Sequence, residues 1–254
     1  MGYVFDYHDA IAYEKWLNHQ RECFGTGPET RLMLNMLKPF RGETVLDIGC
    51  GTGSSSLPFI ELGLDVTGID PSTYMLDIAY KSIGNRADLH RGVAEDLPFE
   101  DNSFNYASLF TTLEFVEDPR KSIEEACRVA KDKIFIGVLN RYAIKGIQRR
   151  IKGIFVKSIY NHANFFSIWE LKQIIYSLLG NVPIYWRTVS RFSSSSKIFN
   201  IIDQFGILQR SPFGTFTGMV VIPVPRFKTR PLTLKYAPKQ AADAITGCAG
   251  SIRL

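Results

Sequence analysis

The chain has 254 residues, of which 45% are hydrophobic and 22% charged, a composition that excludes a disordered or fibrous protein. A chain of this length buries enough surface to fold as one large domain without disulfide or metal crosslinks. No run approaches the roughly 18 consecutive apolar residues of a transmembrane helix, and residues 1–10 lack the pattern of a secretory signal. The cysteines are too scattered for a disulfide framework or a zinc site, so we expect no metal and a cytoplasmic location: Cys23, Cys50, Cys127 and Cys248.

The net charge of +5 is unevenly distributed along the chain. Residues 141–168 contain six lysines and arginines and no carboxylate, and residues 226–254 contain six against one. The remaining residues therefore carry six more carboxylates than cations. Because a nucleic-acid-binding domain usually has a basic surface on the fold itself, this distribution argues against a nucleic-acid partner.

Predicted helices and strands alternate along the first 140 residues. In chain order the pattern predicts helices at 8–22 and 28–38, a strand at 43–48, a short helix, a strand at 64–69, a helix at 72–82, strands at 89–91 and 104–110, a helix at 119–130 and a strand at 133–139. A helix at 167–179 and strands near 182–189 and 215–224 follow a connector. Short strands separated by helices are typical of βαβ units and a parallel sheet. The last two strands lack a long crossover helix, which predicts an antiparallel edge strand.

A glycine-rich turn follows the first predicted strand. Residues 45–53 read VLDIGCGTG and contain Gly49, Gly51 and Gly53. Glycines there let the backbone turn sharply and bring free amides at a helix N-terminus close to a ligand. Ser54 stands where the dinucleotide-binding fingerprint requires glycine or alanine, so that fingerprint fits poorly. Asp47 precedes the turn, where its carboxylate can hold the ammonium of an amino-acid-like ligand; the alternative is a plain strand-to-helix turn.

A second acid, Asp70, ends the next predicted strand, 21 residues after Gly49. Ligands of open α/β sheets bind at the carboxyl ends of the strands. A carboxylate at this position can accept hydrogen bonds from both hydroxyl groups of a ribose. The alternative is that Asp70 caps the helix that follows Pro71 and Ser72. The distance from the glycine turn favours the ribose.

A third motif, GVAEDLPF at residues 92–99, is followed by Phe104 and Asn105. Together with the glycine turn and Asp70, it resembles the class I S-adenosylmethionine-dependent methyltransferases, specifically the small-molecule group with a type 11 methyltransferase domain. The resemblance covers residues 8–140. It implies a doubly wound, Rossmann-like α/β fold with a seven-stranded, mostly parallel sheet and an antiparallel edge strand. It also implies an enzyme that binds S-adenosylmethionine, releases S-adenosylhomocysteine and methylates a small-molecule acceptor.

The resemblance further implies which residues bind the donor. The glycine turn matches the donor-binding loop, Asp47 its methionine end, and Asp70 with Pro71 its ribose contact. Met75 matches a position that packs on the adenine, and Ala94 offers its backbone amide to the ring. Because Val93 replaces the aspartate that bonds the adenine amino group in many relatives, Glu95 or Asp96 is the residue expected to reach that group.

Aromatic residues flank this predicted site. Tyr13 and Trp16 lie in a stretch, HDAIAYEKW, that resembles the N-terminal helix with which relatives close over the methionine end. An aromatic face attracts a sulfonium by roughly 0.5–2 kcal/mol. The two side chains are also three residues apart on one helix face, so core packing is an equal alternative. Phe110 ends the fourth strand, which in relatives borders donor and acceptor.

Two residues are candidates for a general base, which methyl transfer needs only when the nucleophile is a hydroxyl or a similar acid. Glu114 follows the fourth strand, although that position more often simply begins a helix. His162 lies in the connector, although a lone histidine is more often structural. An enzyme that acts only by orienting the donor and the acceptor needs neither residue as a base.

The predicted organisation is a methyltransferase domain over residues 1–225, with a basic insert at 141–166, followed by a basic tail over 226–254. Isoleucines recur in the insert at helical spacing: Ile144, Ile147, Ile151 and Ile154. Three interpretations stay open for this insert, namely a lid over an anionic or lipophilic acceptor, a helix on a membrane surface, and a solvated helix without a special role.

Two alternatives to a small-molecule methyltransferase also stay open. One is a module that binds the donor or its demethylated product without catalysis. The other is a methyltransferase in peripheral contact with a membrane, acting on a lipid-like acceptor.

Replacing both Arg149 and Arg150 by Glu tests the insert. If the insert is a lid, acceptor turnover falls while donor affinity stays nearly unchanged, because distant sites act independently. If it is a membrane-surface helix, the wild type sediments with anionic vesicles at low salt and is released as salt rises. Normal turnover together with no vesicle binding would leave only the solvated helix.

Overall fold

The computed structural model describes residues 2–24, 27–142, 163–189 and 211–223, with backbone alone for residues 16–24. All of them belong to one unit, Met1–Val224. Most of the predicted basic insert, including His162, and the predicted basic tail lie outside the described residues. The assigned organisation of the chain into domain, insert and tail therefore stays a prediction.

The described elements follow the predicted alternation of helices and strands. The helices are α1 (Tyr7–Phe24), α2 (Pro28–Leu37), α3 (Leu57–Glu61), α4 (Thr73–Ile83), α5 (Pro119–Val129) and α6 (Ile168–Leu179). The strands are β1 (Thr44–Ile48), β2 (Asp65–Asp70), β3 (Asp88–Arg91), β4 (Phe104–Phe110), β5 (Ala130–Leu139), β6 (Ile184–Val189) and β7 (Phe216–Val221). None of the helices described is long and apolar enough to cross a membrane.

The seven strands form a single mixed sheet in the order β3-β2-β1-β4-β5-β7-β6. Neighbouring strands from β3 to β5 are parallel, whereas β7 is antiparallel to both β5 and β6. This arrangement confirms the predicted α/β fold class. The antiparallel strand lies one position inside the edge, since β7 returns between β5 and the edge strand β6.

Successive residues of the central strands point into two different core clusters. Leu46 and Ile48 of β1 belong to a cluster covered by α5 and α6, while Val45 belongs to a second cluster covered by α2. Both clusters exclude water almost completely. Because every second side chain faces each layer of helices, the strands are apolar throughout, as buried parallel strands are. Strand order reverses between β1 and β4, where ligands of such sheets bind.

Glu114, in the loop after β4, ties that loop to the chain on both sides of the connector. Its Oε1 accepts a hydrogen bond from the Leu139 backbone N–H at 2.7 Å, and its backbone carbonyl accepts one from Asn164 N–H at 2.8 Å. The side chain is fully buried, and Oε2 has no hydrogen-bond partner among the described residues. Burial disfavours the ionised form and raises the pKa of this carboxyl from 4.5 to about 7.

Glu114→Gln should therefore change how stability depends on pH. In the wild type the raised pKa means that the contribution of Glu114 is complete below about pH 4.5 and is lost as pH rises through about 7. Glutamine keeps the acceptor oxygen and cannot ionise. The stability of the Glu114→Gln protein relative to the wild type, measured as the free energy of unfolding, should thus be higher at pH 8 than at pH 4.5, by about 1–3 kcal/mol.

Urea denaturation at the two pH values measures this difference. Glu124→Gln is the matched control, because the side chain of Glu124 is 54% exposed and pairs with the similarly accessible Lys121. A Glu114→Gln protein whose stability stays parallel to that of the wild type from pH 4.5 to pH 8 would contradict the raised pKa.

Candidate functional site

The glycine turn after β1 adopts backbone angles that favour glycine at all three predicted positions. Gly49, Gly51 and Gly53 have φ values of +72°, +53° and +80°. A Cβ atom on Gly49 would lie 2.4 Å from Cγ2 of Thr112, so this position also requires a close approach of two loops. At Gly51 no atom of the described residues lies within 4 Å of such a Cβ, which leaves room for a ligand to approach the backbone.

The loop after β4 is fixed against the glycine turn. Thr112 is buried, and its hydroxyl group donates a hydrogen bond to the backbone carbonyl of Ile48 at 2.7 Å. Thr111 has φ +54°, an unusual value for a β-branched residue, and its N–H bonds to the Gly137 carbonyl at 2.8 Å. These contacts hold the carboxyl ends of β1, β4 and β5 together.

Asp70 joins the glycine turn to the start of α4. Its Oδ2 accepts a hydrogen bond from Gly51 N–H at 3.0 Å, and its Oδ1 accepts one from Ser72 N–H at 2.9 Å. Burial raises the pKa of this carboxyl, and the two backbone bonds oppose the rise. A carboxylate oxygen can accept two hydrogen bonds, so both oxygens keep capacity for a hydroxyl donor. The helix cap itself is Ser72, whose hydroxyl accepts from Met75 N–H.

Asp47 is a completely buried carboxylate with one satisfied oxygen. Oδ2 accepts hydrogen bonds from the hydroxyl groups of Ser55 at 2.7 Å and Ser56 at 2.6 Å. Oδ1 has no hydrogen-bond partner among the described residues. Burial raises the pKa of Asp47 to about 6, against the lowering effect of the two serines. A buried carboxylate oxygen without a donor is an incomplete arrangement, which an ordered water or a cationic ligand can complete.

The N-terminal segment spans two of the loops at this edge of the sheet. Tyr3 N–H bonds to the carbonyl of Phe115 at 2.8 Å, and the Ser72 hydroxyl bonds to the carbonyl of Phe5 at 2.7 Å. The Phe5 ring contacts the rings of Phe115 and Tyr13 edge-on. Residues 2–13 therefore connect the loop after β4 with the beginning of α4.

The predicted adenine contact Met75 is buried beside this segment. It forms a small core cluster with Ala10 of α1 and Ile78 of α4, against which Phe5 and Tyr13 pack. Tyr13 thus takes part in core packing at the site. The side chain of Trp16 lies outside the part of the chain that is described.

The other residues predicted to contact the donor have side chains that bond or pack elsewhere, or lie in turns and in the core. Oε1 of Glu95 accepts hydrogen bonds from the backbone of Glu117 and Asp118, ahead of α5. The Phe110 ring packs on Phe135 and Phe216 in the core cluster under α2. Ala94 is buried, and Pro71 lies in the turn between Asp70 and Ser72. The structure thus brings Asp47, the glycines, Asp70 and Met75 to one edge, while their donor roles stay predictions.

Four hydroxyl residues complete the site and were not among the predicted site residues: Ser55, Ser56, Ser72 and Thr112. The run Ser54–Ser56 directly after the glycine turn is a signal in the sequence for the two serines that hold Asp47. Nothing local in the sequence indicates Thr112, whose partner is 64 residues away. Among the residues described, no group of three or more His, Cys, Asp or Glu side chains could hold a metal ion.

The arrangement fits S-adenosylmethionine. The orphaned oxygen of Asp47 suits an α-ammonium, the open space at Gly51 admits a ligand against the backbone, and the spare capacity of Asp70 suits ribose hydroxyls. All three lie at the carboxyl ends of β1 and β2, beside the point where strand order reverses.

Comparison with known proteins also indicates a methyltransferase that uses S-adenosylmethionine. Residues 46–136 match the family model described as a methyltransferase domain, of type 11. An uncharacterized protein of Methanocaldococcus jannaschii is 36% identical over 178 residues, which are 69% of this chain and 80% of that protein. A demethylmenaquinone methyltransferase of Renibacterium salmoninarum is 38% identical over 101 residues, and the match spans 40% of this chain and 42% of that enzyme.

A solved structure extends the likeness to most of the fold. It is an S-adenosylmethionine-dependent methyltransferase of Thermotoga maritima, titled a possible histamine N-methyltransferase, with a TM-score of 0.65 and 25% identity. The superposition covers 86% of this chain and 97% of that one. The chain therefore belongs to the S-adenosylmethionine-dependent methyltransferases, in the family with a type 11 methyltransferase domain.

Proposed function

We propose that this methyltransferase transfers the methyl group of S-adenosylmethionine to a small lipophilic acceptor. The observation that carries the donor assignment is the buried, unsatisfied Oδ1 of Asp47 beside the glycine turn. In the proposed arrangement Asp47 holds the ammonium and Asp70 the ribose, while Met75 and Tyr13 line the donor on the α4 side. The acceptor enters from the carboxyl ends of β4 and β5.

The donor, when bound, supplies a methyl group already activated as a sulfonium. The protein therefore has to hold and orient the donor and the acceptor and to shield them from water. The following contacts support this proposal. The two serines fix the Asp47 carboxylate, and Asp70 fixes the glycine turn against α4. The N-terminal segment is bonded to the loops that follow β2 and β4, through the Phe5 and Phe115 carbonyls.

Two observations support a lipophilic acceptor. The demethylmenaquinone methyltransferase of Renibacterium salmoninarum, an enzyme named for a lipophilic substrate, shares 38% identity over 101 residues. In addition, the described residues around the end of β5 include exposed aromatic side chains, among them Tyr142 and Phe213. Apolar residues at the rim of a site favour an apolar ligand.

Incubation with labelled S-adenosylmethionine and a metabolite extract tests the acceptor class. After partition of the products between water and an organic solvent, the label should be found in lipid-soluble material. A boiled enzyme is the control for label carried by the donor itself. Label confined to water-soluble products would contradict the lipophilic acceptor and leave the methyltransferase assignment intact.

Asp70→Ala should weaken binding of S-adenosylhomocysteine by on the order of 1–3 kcal/mol, because two ribose hydroxyls lose a charged acceptor. Isothermal titration measures the affinity, with one site per chain for the wild type. Asp70→Asn keeps one oxygen for a backbone N–H and should give a smaller loss. Asp65→Ala, at the exposed start of the same strand, is the matched control and should bind normally. A wild type that binds NAD and neither S-adenosyl ligand would contradict the proposal.

Donor affinity should fall as pH drops below about 6, because Asp47 then binds a proton that the ligand ammonium must displace. Titrations between pH 5 and 8, in buffers of different ionisation heat, should also show proton release near pH 6. Asp47→Asn should bind more weakly at pH 8 and lose this part of the pH dependence. A donor affinity that stays constant from pH 5 to 8 would show that Asp47 does not face the ammonium.

A further inference from the structure

The chain between β3 and β4 has no helix of its own. Residues 92–103 connect the two strands through turns and one isolated bridge between Val93 and Asp96. We call residues 92–103 the β3–β4 segment. Because the backbone groups of such a segment find few partners within it, its position depends on hydrogen bonds to the rest of the fold.

The β3–β4 segment begins beside Asp70. β3 lies parallel to β2 with Arg91 opposite Asp70, and Gly92 N–H donates to the Asp70 carbonyl at 3.2 Å. A Cβ atom on Gly92 would lie 2.7 Å from Cδ1 of Ile69, so the segment passes closely over the end of β2. Neighbouring strands are about 4.8 Å apart, a distance that one sugar ring spans. A base attached to a ribose at Asp70 can therefore reach the first residues of the segment.

Glu125 and Arg128, near the end of α5, bond to the middle of this segment. Arg128 donates from Nη2 to the Leu97 carbonyl at 2.9 Å and from Nη1 to the Phe99 carbonyl at 2.7 Å. Oε2 of Glu125 accepts from Leu97 N–H at 2.9 Å. The two side chains also form an ion pair, with 2.7 Å between Arg128 Nη2 and Glu125 Oε2. Leu97 is thus held through both of its backbone groups.

Burial distinguishes this ion pair from one on the surface. The side chain of Glu125 is 8% exposed and that of Arg128 is 29% exposed. The hydrogen bonds from Arg128 lower the pKa of Glu125, which keeps the carboxylate ionised at neutral pH. A planar guanidinium carries its donors in a fixed fork, so Arg128 can serve two carbonyls and a carboxylate at once. A lysine cannot reproduce this geometry.

The segment is also bonded to the beginning of α5. Oε1 of Glu95 accepts from the backbone N–H groups of Glu117 and Asp118, directly ahead of that helix. At the other end, Asn102 N–H donates to the Arg128 carbonyl at 2.9 Å. The β3–β4 segment therefore has hydrogen bonds to both ends of one helix.

We propose that Glu125 and Arg128 are positioning residues for the donor. By fixing Leu97 and its neighbours, they hold the first residues of the β3–β4 segment against the base of S-adenosylmethionine. Both side chains act through the backbone of the segment. The inference rests on the proposed placement of the ribose at Asp70. Without the pair the segment loosens and distinguishes poorly between adenine and another base, because recognition requires groups held in fixed positions.

Titration with two ligands tests the proposal. S-adenosylhomocysteine carries adenine, whereas S-inosylhomocysteine carries hypoxanthine, in which N1 gains a hydrogen and C6 carries a carbonyl oxygen. We expect the wild type to bind the adenine ligand about tenfold or more tightly, because the exchanged groups leave hydrogen bonds unmade. Arg128→Met should bring the ratio of the two dissociation constants to within about threefold of one. Arg128→Lys, which keeps the charge and loses the fork, should also lower the ratio.

Further variants separate positioning from folding. Glu125→Gln keeps an oxygen for Leu97 N–H and should retain more of the ratio than Glu125→Ala. Lys121→Met is the matched control, because Lys121 and Glu124 form an ion pair of the same i,i+3 spacing on α5, with side chains 47% and 54% exposed. A variant that is only less stable loses affinity for both ligands equally, so its ratio stays that of the wild type.

The possible failures are distinguishable. An Arg128→Met protein with the wild-type ratio would overturn the proposal and leave donor binding intact. The same holds if Lys121→Met lowers the ratio as much as Arg128→Met does, or if the wild type binds both ligands equally. A wild type that binds neither ligand would contradict the proposed function itself, and the inference with it.

Discussion

The Asp70 carboxylate is the contact on which the rest of the site depends. Its two oxygens accept backbone hydrogen bonds from Gly51 and Ser72, which belong to the loops after β1 and β2. Ser72 in turn caps α4 and donates its hydroxyl to Phe5. One buried acid therefore sets the position of the glycine turn, the first turn of α4 and the N-terminal segment. A ligand that bonds to Asp70 acts on all three at once.

Three buried carboxylates lie at this edge of the sheet, and their surroundings give them different roles. Asp70 has both oxygens engaged by backbone N–H groups, whereas Asp47 and Glu114 each have one oxygen without a partner among the residues described. Asp47 lies beside the glycine turn, and two neighbouring serines hold its other oxygen. Glu114 is bonded to the end of β5 and to residue 164, so its contacts are those of a structural tie between chain segments. Burial raises the pKa of all three, but only Asp47 has its free oxygen beside the predicted donor loop.

The fold was predictable from the sequence because its signals are local. The apolar strands, the glycine turn and Asp70 are each defined within about ten residues, and the sheet follows from their alternation. The contacts that complete the site join distant residues, such as Thr112 with Ile48 and Ser72 with Phe5, and no local pattern specifies them. Glu95 and Phe110 show the same limit, because their side chains contact Glu117 and Phe216, which are remote in the sequence. The position of β7 inside the edge likewise depends on pairing with β5 rather than on its own residues.

The amino acid sequence is constrained differently in the part of the chain up to β5 and in the part beyond it. The family model ends at residue 136, and the likeness to the demethylmenaquinone methyltransferase spans 40% of this chain. The predicted donor site has glycines at positive φ, a close approach of Thr112 to Gly49 and carboxylates at the ends of strands, and few sequences can satisfy all of these requirements. Beyond β5 the chain has to close the sheet with β6 and β7 and, in the proposed arrangement, to present side chains to the acceptor. Many sequences can satisfy that requirement, since the backbone pairing of β7 with β5 and β6 is independent of side-chain identity. This less constrained half is where an enzyme of this fold can change its acceptor without disturbing its donor.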